Sequence, residues 1–509
     1  MAYGRPGVYI NETLSAAPVQ SGVSSAVAAG ACLGVFAQGP SEITLVTSWY
    51  EFSNIFGSYS AAYPATFAVA QFFKNGGTEL YVKRVLSSNA DYATHTIAQV
   101  SSGTMGSVTA KNKGASGTDL SFQFKLNAGG SYNFTVYKTV TSGATTSTVV
   151  AESYTNLSIS DVNATNYLPT VVNNSSRLVS IVGFDETKTP ALAEVSLGGS
   201  DLDGTADIVA ATYAALVDDD GSSEFSQIER PLVIFAAGAY DKFVYDDIAN
   251  PAAALDDVQS ALVAWAASGN GFAVLDTAPG LSIVNALLVS DGLPSVSQAA
   301  VYYPNYFIKD PASPSPEATR KIGPAAAVAG IFMRTDGQFG PFKSPAGLKA
   351  SVQGAIALER AFSNQDLDDL NSSDTPINAI RNIPGSGVTV MGARTLLQDG
   401  TANRYVSMRR SLIYIEKRLS ELTQFALFEN NNYQLWSQLR GTANVFLNQY
   451  FNQGGLRGTQ PSEAFYVKVD AENNPASSIA NGIVNVEIGV ALEYPAEFIV
   501  INITQITGA

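Results

Sequence analysis

The stretch Ile483 to Ile503 constrains this chain more than any other. Val484, Val486, Ile488, Val490 and Leu492 alternate with Asn485, Glu487, Gly489 and Ala491, the period-two pattern of a half-buried strand. After Tyr494-Pro495 the residues Glu497–Thr504 are apolar on both faces, with Phe498 and Val500 on one and Ile499, Ile501 and Ile503 on the other. A strand apolar on both faces needs cover on both. An unpaired apolar edge at a chain terminus invites aggregation. This terminus therefore demands a partner strand, from its own sheet or from another subunit.

The rest of the chain narrows the choice. Its 509 residues are enough for two to four domains with ample core. Charged residues make up only 14%, against about a quarter in typical domains. The formal net charge is −15, which argues against general nucleic-acid binding, since that needs a basic footprint. Charge is unevenly spread: residues 181–260 carry 16 acidic and 3 basic side chains, whereas 401–440 carry 6 basic and 3 acidic. That asymmetry suggests an acidic outer face and a basic contact surface. Met1–Gly7 lacks the apolar stretch of a secretory leader, and the longest uncharged apolar runs, Ala26–Ala37 and Ala325–Met333, are too short to span a bilayer. The expectation is a chain soluble and cytosolic when made, with no membrane segment.

Read in order, residues 1–24 form an extended arm in which Val8, Tyr9 and Ile10 can make a short strand. Strands are expected at Ala26–Phe36 and Leu80–Leu86, with helices at Trp49–Phe56 and Thr66–Lys74 between them. From 87 to 199 the chain is rich in Ser, Thr, Asn and Gly, and β-prone pieces recur at Ser121–Leu126, Tyr132–Val140, Ser147–Tyr154 and Leu178–Val182. Alternation of helix and strand then resumes. Helices are expected at Asp207–Val217, Pro251–Ser268, Ala325–Arg334 and Leu348–Leu358, strands at Leu232–Ala236, Phe272–Leu275 and Ala299–Tyr303, and a Pro-rich connector at Pro304–Pro316. In the next helix, Met408, Leu412, Ile415, Leu419, Leu422 and Ala426 form one stripe, with Arg409, Arg410, Lys417 and Arg418 mainly off it. Asn430-Asn-Asn432 offers caps for a second helix, Tyr433–Gln453.

The fold class expected is α/β (α+β) and multidomain: a mixed sheet core with flanking helices, an inserted antiparallel β domain, and extended N- and C-terminal strand arms. The divisions are 1–24 for the first arm, 25–86 with 200–494 for a discontinuous core whose inner part is 401–494, 87–199 for the insertion, and 495–509 for the last arm.

Sites for chemistry are sparse. His95 is the sole histidine and Cys32 the sole cysteine, so no His/Cys metal cluster can form. His95 reads as a surface-loop residue and Cys32 as a small buried hydrophobe. There is no phosphate-binding loop, dinucleotide fingerprint or nucleophile elbow. Asp201, Asp203 and Asp207 only faintly follow a calcium loop, and Asp218-Asp-Asp220 reads as a solvated turn. Asp276, at a strand end, reads as a structural cap sooner than a ligand.

The order of several motifs then points to a family. Gly4-Arg-Pro-Gly-Val-Tyr-Ile10, Thr47-Ser-Trp-Tyr-Glu-Phe52, Phe72-Phe-Lys-Asn-Gly-Gly77, Gly198-Gly-Ser-Asp201, Gly323-Pro324, Lys343-Ser-Pro-Ala-Gly347, Ile377-Asn-Ala-Ile-Arg-Asn-Ile-Pro-Gly385, Gly392-Ala-Arg-Thr-Leu396, Arg409-Arg-Ser-Leu-Ile-Tyr-Ile-Glu-Lys417, Glu487-Ile-Gly-Val-Ala491 and Pro495-Ala-Glu-Phe498 follow one another. The chain thereby resembles the contractile tail sheath proteins of myophages, R-type bacteriocins and related contractile injection systems. It departs from them at Met391, where the family often has Trp, and at Asp203, which separates a usual Asp-Gly pair. The resemblance implies a homo-oligomer of hexameric rings stacked helically around an inner tail tube protein, bounded by baseplate and tail terminator proteins. It implies a place in a virion tail or other contractile particle made in a bacterial cytoplasm. No catalytic residue, cofactor, metal or direct nucleic-acid contact is implied. The subunit-linking arms would be Val8, Tyr9, Ile10, Phe498, Val500, Ile501 and Ile503. The arm-accepting strand would be Val484, Val486, Ile488 and Val490, and Arg409, Arg410, Lys417 and Arg418 would face the tube. The competing readings are a static tube or shell and an α/β enzyme with a carboxylate site.

Overall fold

A computed structural model describes residues 28–86, 90–142, 145–199, 224–228, 230–238, 251–397 and 401–497. In chain order, β1 (Ala29–Val35), β2 (Thr44–Val46), α1 (Trp49–Phe56), α2 (Ala65–Lys74) and β3 (Leu80–Val85) come first. Residues 92–196 supply β4 (Tyr92–Ala98), β5 (Thr104–Lys113), β6 (Leu120–Leu126), β7 (Tyr132–Ser142), β8 (Thr145–Leu157), α3 (Leu168–Ser175), β9 (Val179–Val182) and β10 (Val195–Ser196). Then come β11 (Leu232–Ala237), α4 (Pro251–Trp265), β12 (Gly271–Leu275), α5 (Ile283–Asp291), β13 (Ala299–Tyr303), β14 (Tyr306–Lys309), β15 (Thr319–Ile322), α6 (Ala325–Phe339), β16 (Ala357–Leu358), α7 (Asn364–Ser372), β17 (Ile377–Ile383) and β18 (Gly387–Val390). The last part holds α8 (Val406–Thr423), α9 (Tyr433–Asn452), β19 (Phe465–Lys468) and β20 (Glu487–Val490).

The central sheet runs β18-β17-β13-β12-β11-β1-β3-β2. Its six inner strands are parallel, and β2 and β18 close the edges antiparallel. Side chains alternate between two cores, as the two-residue period requires. Cys32, Val233, Phe235, Phe272, Val274 and Tyr302 join α2 and α6 on one face. Leu33, Ile234, Leu275, Val301 and Tyr303 join α4, α5 and α7 on the other. The result is three layers. Residues 92–196 form two antiparallel sheets, β4-β5-β9 and β10-β6-β7-β8, around a cluster of their own centred on Phe122, Phe124 and Phe134.

Several expectations change. Leu348–Leu358 is not helical: Gly347 and Gly354 have φ of 87°, which breaks a helix, and Gly347 and Val352 bond the carbonyls of Val390 and Val388 beside β18. The connector at 304–316 contains β14. His95 lies on β4 rather than in a loop, bonded through Nδ1 to the Thr96 carbonyl at 2.8 Å. Asp207–Val217 and residues 1–27 fall outside the described residues.

Candidate functional site

The C-terminal part builds a helical hairpin over a small sheet. Asn432 caps α9 by accepting from the Leu435 N–H at 3.1 Å. Tyr414 of α8 packs on Phe446 and Tyr450 of α9, and Phe465, Leu456 and Leu492 close the cluster from the strand side. The first half of α8 serves two cores at once. Val406 and Ile413 enter the central-sheet core, whereas Met408 and Ile415 face α9.

This double burial corrects the reading of the basic cluster. Arg409 and Arg410 are 3% and 4% exposed, so neither can reach a tube. Arg410 pairs with buried Asp336 of α6 through Nη1, at 3.0 Å to Oδ1, and Nη2, to Oδ2, and its guanidinium lies 4.4 Å from the centre of the Phe332 ring. Arg409 lies 3.7 Å from Glu416. Burial pushes the Asp336 carboxyl up, with Arg410 opposing. Only Lys417 and Arg418, both partly exposed, remain near the surface of α8, and Arg418 is 2.5 Å from Glu421. Sequence reasoning missed the tip of this hairpin, where Phe428 is 91% exposed.

The expected accepting strand is shorter than its alternation suggests. β20 pairs antiparallel with β19, Phe465 opposite Val490 and Lys468 opposite Glu487. Ile488 and Val490 are on it, but Val484 and Val486 precede it. Asn485 leaves the strand path because its N–H donates to Asn474 Oδ1 at 2.6 Å, and its carbonyl accepts from Asn473 and Asn474. Tyr466 covers Gly489, where an added Cβ would lie 2.4 Å from the ring. Among the described residues, β19 and β20 form a sheet of two strands only, an arrangement of marginal stability with open edges. Val8, Tyr9, Ile10, Phe498, Val500, Ile501 and Ile503 lie outside the described residues.

The chain leaves β20 along a pinned path. Tyr494 packs edge-on to Tyr405 at 6.2 Å and under the Arg457 guanidinium at 5.7 Å. Three residues later, Glu497 takes a two-point contact from Arg394: Nε to Oε1 at 2.8 Å and Nη2 to Oε2 at 2.7 Å. Both residues lie within motifs quoted above, Gly392-Ala-Arg and Pro495-Ala-Glu, but the sequence did not reveal that they meet.

The remaining candidates fill structural roles. Asp276 follows β12 and is buried. Its Oδ1 accepts from the Ala325 N–H at 2.5 Å, at the start of α6. Gly323 makes room, since a Cβ there would lie 2.3 Å from Asp276 Oδ2. Burial pushes the Asp276 carboxyl up to about 7, with the Ala325 bond opposing. Cys32 is fully buried, which pushes its thiol up. The central sheet reverses its strand order beside β1, where ligands bind in many such folds. Here Arg84 occupies the loop after β1, donating to the carbonyls of Phe36, Ala37 and Gly39 at 2.9–3.1 Å. Carbonyls converging on a cation are the reverse of the N–H cradle that holds a phosphate. Asp201, Asp203, Asp207 and Asp218–Asp220 lie outside the described residues. Among the described residues no group of three or more His, Cys, Asp or Glu could hold a metal ion, and no helix is long and apolar enough to cross a membrane.

Comparison with known proteins gives a consistent result. Residues 227–396 match the family model of the phage tail sheath protein central domain, and residues 398–506 that of the phage tail sheath C-terminal domain. Together they span more than half of the chain. A tail sheath protein of Vibrio phage KVP40 is 26% identical over 187 residues, 36% of this chain and 27% of that protein; the match thus spans about a quarter of that relative's length. The fold is similar to a chain of the anti-feeding prophage baseplate, with TM-score 0.58, 20% identity and coverage of 99% of this chain and 100% of that one. The same figures hold for the anti-feeding prophage helical sheath in its contracted state. A sheath tail protein from Listeria innocua gives TM-score 0.60 at 14% identity, covering 93% of this chain and 96% of that one. At these identities the structural likeness is one of fold.

Proposed function

The chain belongs to the phage tail sheath family and is a structural sheath protein, and we propose that its copies polymerise as stacked hexameric rings around an inner tail tube and contract to drive that tube through a target envelope. The observation that carries this reading is the two-stranded β19–β20 sheet, whose open edges suit added strands. The arms Val8–Ile10 and Phe498–Ile503 of other copies are the strands to fill them, with Ile488 and Val490 on the accepting side. Catalysis has no place in this reading. The extended assembly stores the energy, and the filled crevice at Arg84 agrees with a sheet that carries no nucleotide.

The core spans 25–86 and 200–494, and the inserted residues 87–199 face outward; of the acidic 181–260 stretch, β11 is instead buried in the central sheet. Lys417, Arg418 and the hairpin tip at Phe428 face the tube. The particle is a phage tail or an extracellular contractile device, with a baseplate and terminator at its ends.

Negative-stain electron microscopy of the full chain tests this. Tubes or rings are expected, and two tube lengths distinguish a contractile sheath from a static shell. Ile501→Pro, which removes a ladder donor from the last arm, is expected to abolish tubes. Monodisperse monomers from the wild type, or normal tubes from the variant, overturn the reading.

A further inference from the structure

We propose that Arg394 and Glu497 form the fixed root of the C-terminal arm, a positioning pair that sets where and in which direction the strand beyond residue 497 leaves the subunit. This rests on the reading that the arm is donated to another copy.

The pair is built to resist displacement. Arg394 is a rigid fork whose side chain is 10% exposed, against 24% for Glu497. Its third nitrogen, Nη1, donates to the Asn371 carbonyl at 2.7 Å, at the C-terminal end of α7, where a cation is favoured. The backbone of Arg394 is itself held. Its N–H donates to Asn378 Oδ1 at 2.7 Å, and its carbonyl accepts from Asn378 Nδ2 at 2.8 Å. Asn378 lies on β17, is 2% exposed, and also donates to the Val301 carbonyl of β13 at 3.0 Å. Gly392 permits this approach, because a Cβ there would lie 2.8 Å from Asn378 Oδ1. Force applied at Glu497 therefore reaches two interior strands of the central sheet rather than the two-stranded sheet the tail has just left.

The second pin, Tyr494 between Tyr405 and Arg457, lies three residues upstream. Pro495 between them has a fixed φ, so two anchors and a stiff joint define a direction as well as a point. Arg394 lies in the part matching the central-domain family model and Glu497 in the part matching the C-terminal one. The contact thus staples the two parts at the place where the arm departs.

The test uses the full chain with Glu497→Gln, Glu497→Asp and, as a control on the arm itself, Ile501→Pro. Light scattering and microscopy give the concentration at which tubes form, and thermal melting below that concentration gives monomer stability. Glu497→Gln loses the charge-assisted fork and frees a few linker residues, so tube formation is expected to need about tenfold more protein. The monomer Tm should move by no more than about 2 °C. Glu497→Asp, which keeps the carboxylate, should recover part of the loss. Tube formation by Glu497→Gln at the wild-type concentration overturns the proposal, and so does a loss of tubes that merely tracks a falling Tm. If Ile501→Pro is defective while Glu497→Gln is normal, the donated arm survives and only its anchor falls. If Ile501→Pro is normal, the donated arm falls and the anchor with it.

Discussion

Asp276 offers the most quantitative check, because its environment fixes both the sign and the size of a pH effect. The carboxyl is sealed between β12 and the start of α6, and burial holds it at about 7 instead of 3.8. Tyr306, a titratable group that faces it, is pushed well above its ordinary value by burial and by Asp276 itself, and does not ionise in this range. A folded-state value above the unfolded one means that the folded protein keeps a proton which the unfolded chain has released. The stability tied to that proton is fully present below pH 3.8 and is lost as pH rises through 7. The window is about three pH units, at 1.36 kcal/mol each, or about 4 kcal/mol in all. Asp276→Asn keeps the acceptor for Ala325 but cannot ionise. Its unfolding free energy should therefore gain on the wild type by about 2 kcal/mol between pH 5 and pH 7 and level off above about pH 8. Urea unfolding at each pH, below the concentration of tube formation, measures that difference. Parallel curves for variant and wild type would refute the argument. A wild type that gains on Asp276→Asn as pH rises would show an ionised carboxylate serving the helix N-terminus. A structural cap also predicts that Asp276→Asn still forms tubes, which an essential carboxylate would not allow.

Arg410→Met leaves Asp336 buried without its partner and should cost about 3–5 kcal/mol in urea unfolding, whereas Arg410→Met with Asp336→Leu should return most of it. Charge reversal of Lys417 should weaken docking to the purified tube protein, measured by co-sedimentation, while changing stability by less than about 0.5 kcal/mol. Gly489→Val would drive a side chain into the Tyr466 ring, 2.4 Å away at Cβ. It should block tube formation more severely than it lowers the monomer Tm, as microscopy and melting on the same sample would show.

The three-layer core was legible because its signals are local. Trp49–Phe56 is found with the bounds expected, capped by Ser48, whose side chain accepts from the Glu51 N–H, and closed by Gly57 at φ 99°. Strands such as Leu232–Ala237 read as continuous apolar runs because both of their faces are buried. The site was less legible. Helical spacing put Arg409 and Arg410 off the apolar stripe, but it cannot say that α8 is wedged between two cores and that Asp336, some seventy residues away in sequence, waits for Arg410. Alternation marked Val484–Leu492 as one strand, but it is blind to the Asn473, Asn474 and Asn485 bonds that shorten it to four residues. The capping box of α7, Ser363 with Asp366, and the Pro384-Gly385 turn between β17 and β18 are local signals of the same legible kind.

If the apolar residues after Glu497 are the proposed arm, its fixed root would also keep it from being an aggregation hazard. An edge strand is dangerous when it can pair anywhere along its length and in any direction. Here the chain at Glu497 is fixed by Arg394, itself held by Asn378, to the interior of the central sheet, so the proposed arm would start from a defined point. The sheet proposed to receive it offers only the four residues of β19 and the four of β20. Register is then set at both ends by covalent distance from an anchor rather than by side-chain pattern alone. Each backbone bond is worth only about 0.5–1.5 kcal/mol, but a strand held at its root and pulled along its length must break them together rather than one at a time. In the proposed assembly, surface contacts between subunits would exchange during contraction while the strand pairing, with the Arg394–Glu497 root behind it, would keep each copy tied to its neighbours.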